Sequence, residues 1–289
     1  MSARLACIAG GPLCEALEAG AFDATELPRP ETPFGPSEQV LLAQAAPAPF
    51  YLVPRQPPGR GRLAPSYINY RATLYALKDL GVDAVVSWSA AGAITHDRQL
   101  GQVVIPDDVI DMTRRRQTTF FETSGLGLLR QFPVFCPALR EALASVLAEL
   151  GVDAHGGGTA AVTEGPRFET PAEVRMLAAV GAELVTHTLV PEVFLARELQ
   201  MCLVGACYLV NYAETGSRHR PFSSGALFGD EAQETEADRA RRAAGMLPDV
   251  LRGLAAACDA DERNCECDQA MARRIDEEGL DPDWHKWFE

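Results

Sequence analysis

A surplus of basic charge is missing from this sequence. Twenty-six Lys and Arg stand against 40 Asp and Glu, a formal charge of −14 over 289 residues. Phosphate backbones and anionic bilayers are held mainly by clustered cations, so nucleic acid and a polybasic membrane surface are excluded as natural partners. No stretch approaches the roughly 20 unbroken apolar residues of a spanning helix. The amino-terminal apolar run meets Gly10-Gly11-Pro12 too early for a secretory signal and reads as a strand entering a turn. Also absent are Gly-x-Ser-x-Gly, Gly-x4-Gly-Lys-[Ser/Thr], His-Glu-x-x-His and a Gly-x-Gly-x-x-Gly opening a helix, which removes several common hydrolase, nucleotide and metallopeptidase signatures.

Eight cysteines are present: Cys7, Cys14, Cys136, Cys202, Cys207, Cys258, Cys265 and Cys267. Most are dispersed through apolar or helical segments, which suits reduced thiols in a cytoplasmic protein. The exception is Cys265-Glu266-Cys267, with Cys258 nearby. Zinc sites usually pair a Cys-x2-4-Cys with a second pair. No second pair is visible in the sequence, so no metal is expected, and the Cys-bearing stretch reads as a mobile, solvent-facing tail. The tail closes on Trp284-His285-Lys286-Trp287-Phe288, and its aromatics are expected to dock on the body or on a neighbouring subunit.

Short β-branched runs alternate with Ala/Leu-rich stretches, which predicts an α/β layer architecture. Strands are expected over 5–9, 50–53, 84–89, 102–106, 158–163, 183–186 and 201–210. Helices are expected over 68–80, 137–150, 171–180, 191–198 and, as one long element, about 230–258. The division is a domain over 1–257 and an acidic extension over 258–289. Segments 54–65 and 216–229 read as loops, the second as a mobile lid.

Three features fall where α/β sheets place ligands, at the carboxyl ends of strands. Cys7 to Pro12 is a strand running into glycines, either an anion-holding turn or a structural one. Ser87 to Gly92 ends a buried strand in small residues, which admits either a ligand or a closely packed helix. Glu164 to Glu173 lies between a strand and a helix starting at Pro171, and its Phe168 is either a core plug or a stacking platform. From spacing alone the result is an α/β protein with an anion-friendly, aromatic-bearing cleft.

Three blocks together resemble the trimeric nucleoside phosphorylases of the methylthioadenosine/methylthioinosine branch. They are Ile68-Asn69-Tyr70-Arg71-Ala72 through Ser89-Ala90-Ala91-Gly92, then 107–121 ending Arg116-Gln117-Thr118-Thr119-Phe120-Phe121, then 164–173 continued by Thr186-His187-Thr188-Leu189-Val190-Pro191-Glu192 and Leu195-Ala196-Arg197-Glu198. The resemblance covers about residues 5 to 257. It implies one α/β domain with a mixed, partly closed sheet flanked by helices, a homotrimer, and no metal or organic cofactor. It also implies phosphorolysis of a purine nucleoside, with inorganic phosphate as co-substrate.

Carried over by position, Phe168 matches the base-stacking aromatic and Glu169 the carboxylate of 6-oxopurine enzymes. Asn211 replaces an Asp that contacts N7 and is the candidate catalytic residue; Ala213 replaces a second Asp. His187 replaces a Met beneath the ribose, and is either a ribose contact or a packed strand-end histidine. Gly11, Arg55, Ser89, Ala90 and Thr188 match phosphate contacts. The phosphate motifs depart from the family at Pro12, Gln56 and Pro57, so Arg60 or Arg62 competes with Arg55 for that role. Leu128 falls near a position on the 5′ side. The implied substrate is a 6-oxopurine nucleoside, S-methyl-5′-thioinosine or inosine. A hydrolase on the same fold and a non-catalytic nucleoside-binding protein remain as alternatives.

Overall fold

Strand β1 (Leu5–Ala9) is buried along its whole length. Its side chains divide by alternation: Ala6 and Ile8 enter one core, Leu5, Cys7 and Ala9 another. A strand apolar on both faces belongs in the interior of a sheet covered on both sides. The computed structural model, which describes residues 4–45, 47–55, 63–95, 97–213, 234–259 and 264–288, shows that arrangement.

The strands that follow are β2 (Asp23–Glu26), β3 (Glu31–Thr32), β4 (Gly35–Pro36), β5 (Leu41–Gln44), β6 (Phe50–Pro54), β7 (Ala84–Ala93), β8 (Val103–Ile105), β9 (Asp108–Met112), β10 (Ala154–Gly156), β11 (Thr159–Thr163), β12 (Leu184–Thr186) and β13 (Cys202–Tyr212). The helices are α1 (Gly11–Glu18), α2 (Tyr70–Asp79), α3 (Pro137–Glu149), α4 (Pro171–Ala179), α5 (Glu192–Glu198), α6 (Glu234–Gly245), α7 (Leu247–Asp259) and α8 (Ala272–Glu278).

Eleven strands form one mixed sheet whose main path runs β10-β8-β13-β7-β1-β6-β5-β2. Strand β7 is the branch point. It lies parallel to β1 and β13, while its last residues pair antiparallel with β12, Val185 facing Gly92 and Leu184 facing Ala93. Strand β12 then leads through β11 to β9, so a second leaf rises from the carboxyl end of β7. The cavity described below opens beside that branch.

Several boundaries differ from the sequence reading. Strand β7 does not stop at Ser89 but continues to Ala93, because Ala90, Ala91 and Gly92 are small enough to pass between β13 and β12. The long carboxyl-terminal helix is broken into α6 and α7 at Met246. Gly245 ends the first piece, and Pro248, lacking an N–H, suits the first turn of the second. Pro191 is the N-cap of α5 rather than its first residue. Helix α1 begins directly after Gly10, with Pro12 in its first turn.

The extension is not a loose tail. Helix α7 runs past Cys258 to Asp259, and from 264 the chain packs back on the body. Met271 is fully buried in the same core as Ile8. Trp284 meets Tyr75 at 4.9 Å between ring centroids, and Phe288 meets Phe120 and Phe121 at 5.3 and 5.5 Å. The expected docking of the aromatics is seen. The expected solvent-facing state of Cys265 and Cys267 is not, since both are half-buried against the second core.

Candidate active site

A cavity of about 710 Å³ lies at the carboxyl ends of β1, β7 and β13, and its wall includes Gly11, Arg55, Ser89, Ala90, Phe168, Glu169, His187, Thr188 and Asn211. The nine residues named from the sequence as catalytic, base, ribose or phosphate contacts therefore share one space. Arg60, Arg62 and the 216–229 loop lie outside the described residues.

Helix α4 fixes one end of the cavity. Thr170 accepts from the Glu173 N–H at 3.2 Å while the Glu173 carboxylate accepts from the Thr170 N–H at 2.7 Å. This reciprocal capping box sets where the chain enters the helix, and so where the two preceding residues, Phe168 and Glu169, stand. The Phe168 and His187 rings are stacked, 6.2 Å between centroids and 25° between planes. Phe168 is 41% exposed, which makes it a wall rather than a core plug.

Glu169 accepts two hydrogen bonds on Oε1, from the Thr163 hydroxyl and from His187 Nε2 at 3.3 Å. Burial pushes the Glu169 carboxyl up, but the donors His187 and Thr163 outweigh it and leave the pKa lowered. The group is a carboxylate at neutral pH. Asn211 sits where β13 bulges between Leu209 and Asn211 against β7. Its Nδ2 makes a long bond, 3.3 Å, to Tyr212 O. A side chain at Gly92 would meet Asn211 Oδ1 at 3.3 Å, so Gly92 keeps that amide's space open.

The opposite end is built differently. Arg55 is buried, and its Nε and Nη2 donate to Glu192 Oε1 at 3.1 and 2.9 Å. Nη2 also donates to Ser87 Oγ at 2.7 Å, while Nη1 reaches Trp88 O at 3.4 Å. Glu192 is fully buried and accepts further from the Leu189 N–H at 3.0 Å. The guanidinium expected to be free for phosphate is thus largely taken by Glu192. Hydroxyls supply more of the polarity: Thr186 donates to Ala90 O at 2.9 Å and lies 2.9 Å from Thr188 Oγ1. Pro12 has no N–H to add where Gly10 and Gly11 meet the cavity.

One organising residue escaped the sequence reading. Arg116 donates to four carbonyls, those of His187 and Val190 at 2.9 and 2.6 Å and those of Thr163 and Glu164 at 2.9 Å each. It joins the loop carrying Phe168 and Glu169 to the segment carrying His187 and Thr188. The Glu164 carboxylate in turn accepts from the N–H groups of Arg114 and Arg115 at 2.6 and 3.0 Å. Burial raises the Glu164 pKa, yet those N–H groups and Arg116 lower it on balance. The signal was three consecutive arginines in an otherwise acidic chain. Leu128, expected near the 5′ side, does not line the cavity and is 76% exposed.

A branched mixed sheet with a cleft at its strand ends thus offers an aromatic, a carboxylate and an amide at one end and hydroxyls with an arginine at the other. The chain belongs to the phosphorylase superfamily, which it matches over residues 5–252. Within that family it groups with the purine nucleoside and methylthioadenosine phosphorylases. It is 35% identical over 241 residues to the S-methyl-5′-thioadenosine phosphorylase of Thermofilum pendens, covering 83% of this chain and 87% of the relative. It is 34% identical over 243 residues to a probable S-methyl-5′-thioinosine phosphorylase of Methanopyrus kandleri, covering 83% and 89%. A probable 6-oxopurine nucleoside phosphorylase of Moorella thermoacetica is 36% identical over 211 residues, covering 72% and 77%. A solved methylthioadenosine phosphorylase from an Antarctic soil metagenomic library has a TM-score of 0.81 at 25% identity, covering 94% of this chain and 92% of that one.

Proposed function

We propose that the protein cleaves the N-glycosidic bond of a 6-oxopurine nucleoside, S-methyl-5′-thioinosine or inosine, by phosphorolysis. The observation that carries the reading is Glu169, an ionised carboxylate on the cavity wall beside Phe168. A 6-oxopurine presents N1–H to such a group, whereas adenine presents a lone pair that it would repel. With Oε1 already holding Thr163 and His187, Oε2 is the acceptor for N1–H.

In this reading the purine lies along Phe168 and the Asn211 amide donates to N7. Phosphate attacks C1′ from the opposite face, and the C1′–N9 bond breaks with its electron pair leaving on the base. The Asn211 hydrogen bond spreads that charge while solvent supplies the proton of the free base. The products are 6-oxopurine and ribose 1-phosphate or its 5-alkylthio analogue. Positioning and preorganised donors carry the rate; no metal or organic cofactor enters the step. His187 holds Glu169 and faces the ribose, while Gly11, Arg55, Ser89, Ala90 and Thr188 hold phosphate. Exposed Leu128 and Phe132, 76% and 84% accessible, support an interface in a homotrimer, which sedimentation velocity reads directly. Free cysteines suit a reducing, cytoplasmic setting.

The pairing of Arg55 with Glu192 favours one competing reading, water in place of phosphate as nucleophile. Incubation with methylthioinosine, inosine and methylthioadenosine, each with and without phosphate, separates the cases by product. Phosphate-dependent release of hypoxanthine is expected. Methylthioadenosine turning over faster than both 6-oxo substrates would refute the base assignment, and phosphate-independent release would assign a hydrolase.

A further inference from the structure

The second pair of sulfurs that the Cys265-Glu266-Cys267 spacing lacks in sequence is supplied by the fold. Cys136 and Cys202 lie far from the tail in the chain, yet the four Sγ atoms of Cys136, Cys202, Cys265 and Cys267 all fall within 4.8 Å of one another. Cys202 Sγ and Cys265 Sγ are 3.5 Å apart. Zinc–thiolate bonds of about 2.3 Å in a tetrahedron place sulfurs roughly 3.8 Å from one another. The cluster is therefore near the size of a closed four-sulfur site, with no carboxylate or imidazole in the set.

We propose that Cys136, Cys202, Cys265 and Cys267 bind one zinc ion that staples the carboxyl-terminal extension to the catalytic body.

Each ligand comes from a held position. Cys136 is the N-cap of α3, and its sulfur accepts from the Leu139 N–H at 3.5 Å. Its own N–H bonds Leu203 O at 3.0 Å, tying the cap to β13. Cys202 opens β13, and its N–H bonds Asp83 O at 2.8 Å. Both are nearly inaccessible, at 3% and 6% exposure. Cys267 begins a short 3-10 turn whose closing N–H, from Ala270, returns to Cys267 O at 3.4 Å. That turn brings two sulfurs spaced by one residue into the same cluster.

Four thiols give up their protons to solvent as Zn²⁺ binds, leaving a site of net charge −2, which needs nearby donors. The Leu139 N–H is one. The site lies at the amino end of β13, whereas Asn211 and the cavity lie at the carboxyl end. With four protein ligands and no open position, the role is structural.

The test begins with metal analysis of the full chain, purified anaerobically with reductant from zinc-supplemented medium. About one zinc per chain is expected, falling at least tenfold in Cys265→Ser/Cys267→Ser. Cys14→Ser, which touches a thiol on α1, should keep the metal. Replacement by Co²⁺ should give the intense absorption of a tetrahedral tetrathiolate. Should the double variant fail to fold, chelation of the wild type with a zinc-indicator dye reads the same point. Release of one zinc should lower the melting temperature by roughly 5–10 °C and expose the extension to protease. Absence of zinc after reconstitution, a disulfide among these four cysteines in the anaerobic protein, iron in place of zinc, or loss of metal in Cys14→Ser would each overturn the proposal.

Discussion

The two ends of the cavity hold their charged groups by opposite means. At the Phe168 end, Glu169 is steadied by one neutral hydroxyl and one imidazole, both on a single oxygen. At the Gly11 end, Arg55 is steadied by a full countercharge, Glu192, which is itself inaccessible. A carboxylate held by hydrogen bonds keeps its charge for a ligand. A cation matched by a buried anion keeps its position but gives most of its field to the partner. The Phe168 end is thus built to discriminate among ligands, and the Gly11 end to remain in place.

The largest effect should come from breaking the countercharge. Glu192→Ala leaves the Arg55 guanidinium buried with a fraction of its partners, and such one-sided removal typically costs about 3–5 kcal/mol. Chemical denaturation should show that loss, and a change below about 1 kcal/mol would mean that water already screens the pair.

At the Phe168 end the effect should fall on specificity. On the proposed base assignment, Asn211→Asp removes the N7 donor and adds a second carboxylate to the cavity that holds Glu169, so kcat/KM for 6-oxopurine nucleosides should drop roughly 10- to 100-fold, the scale of one mismatched buried polar pair. Adding Glu169→Ser removes the repelling charge and should turn preference toward 6-aminopurines, by more than the single changes combined. Additive changes, or an unchanged preference, would show that these residues do not read the base.

The smallest effect sharpens what ionisation requires. Glu198, at the far end of α5 from Glu192, accepts from Thr119 Oγ1 at 2.6 Å and from the Phe120 N–H at 2.8 Å, with no cation paired to it among the described residues. Burial pushes its pKa up to about 7 despite those bonds, and a helix carboxyl terminus disfavours a negative charge. Folded Glu198 thus keeps a proton that the unfolded chain releases, so its contribution to stability is greatest below the ordinary value of 4.5 and is lost as pH rises to about 7. Glu198→Gln should gain on the wild type across that window, by on the order of 1 kcal/mol. Melting curves at several pH values read it; a constant difference would mean that Glu198 is ionised throughout.

How much of this was visible before folding depends on what each residue needs. Strands such as β1, buried throughout, and β13, buried over all but its last three residues, announce themselves by apolar runs. Strand β2, Asp-Ala-Thr-Glu, and β9, Asp-Val-Ile-Asp-Met, are polar at alternate or terminal positions and exposed, so their strand character comes from pairing with β5 and β11. Nine residues of the cavity wall could be chosen by resemblance, because each sits in or beside a short local motif. What spacing could not supply was pairing across the chain. Arg55 and Glu192 stand 137 residues apart, and Cys202 and Cys265 stand 63 apart. The first made a free cation look available, and the second made a paired cluster look like a solitary motif.

Arg116 has a consequence beyond holding two segments in place. Because one guanidinium grips carbonyls on both sides, at 163–164 and at 187–190, the wall carrying Phe168 and Glu169 and the wall carrying His187 and Thr188 cannot drift independently. Disorder in one is disorder in the other, so the cleft behaves as a single mechanical part. A ligand that fits only one of these walls must strain the same joint as one that fits neither. Recognition by the two walls is in that sense one event, fastened by a side chain that is not among those lining the cavity.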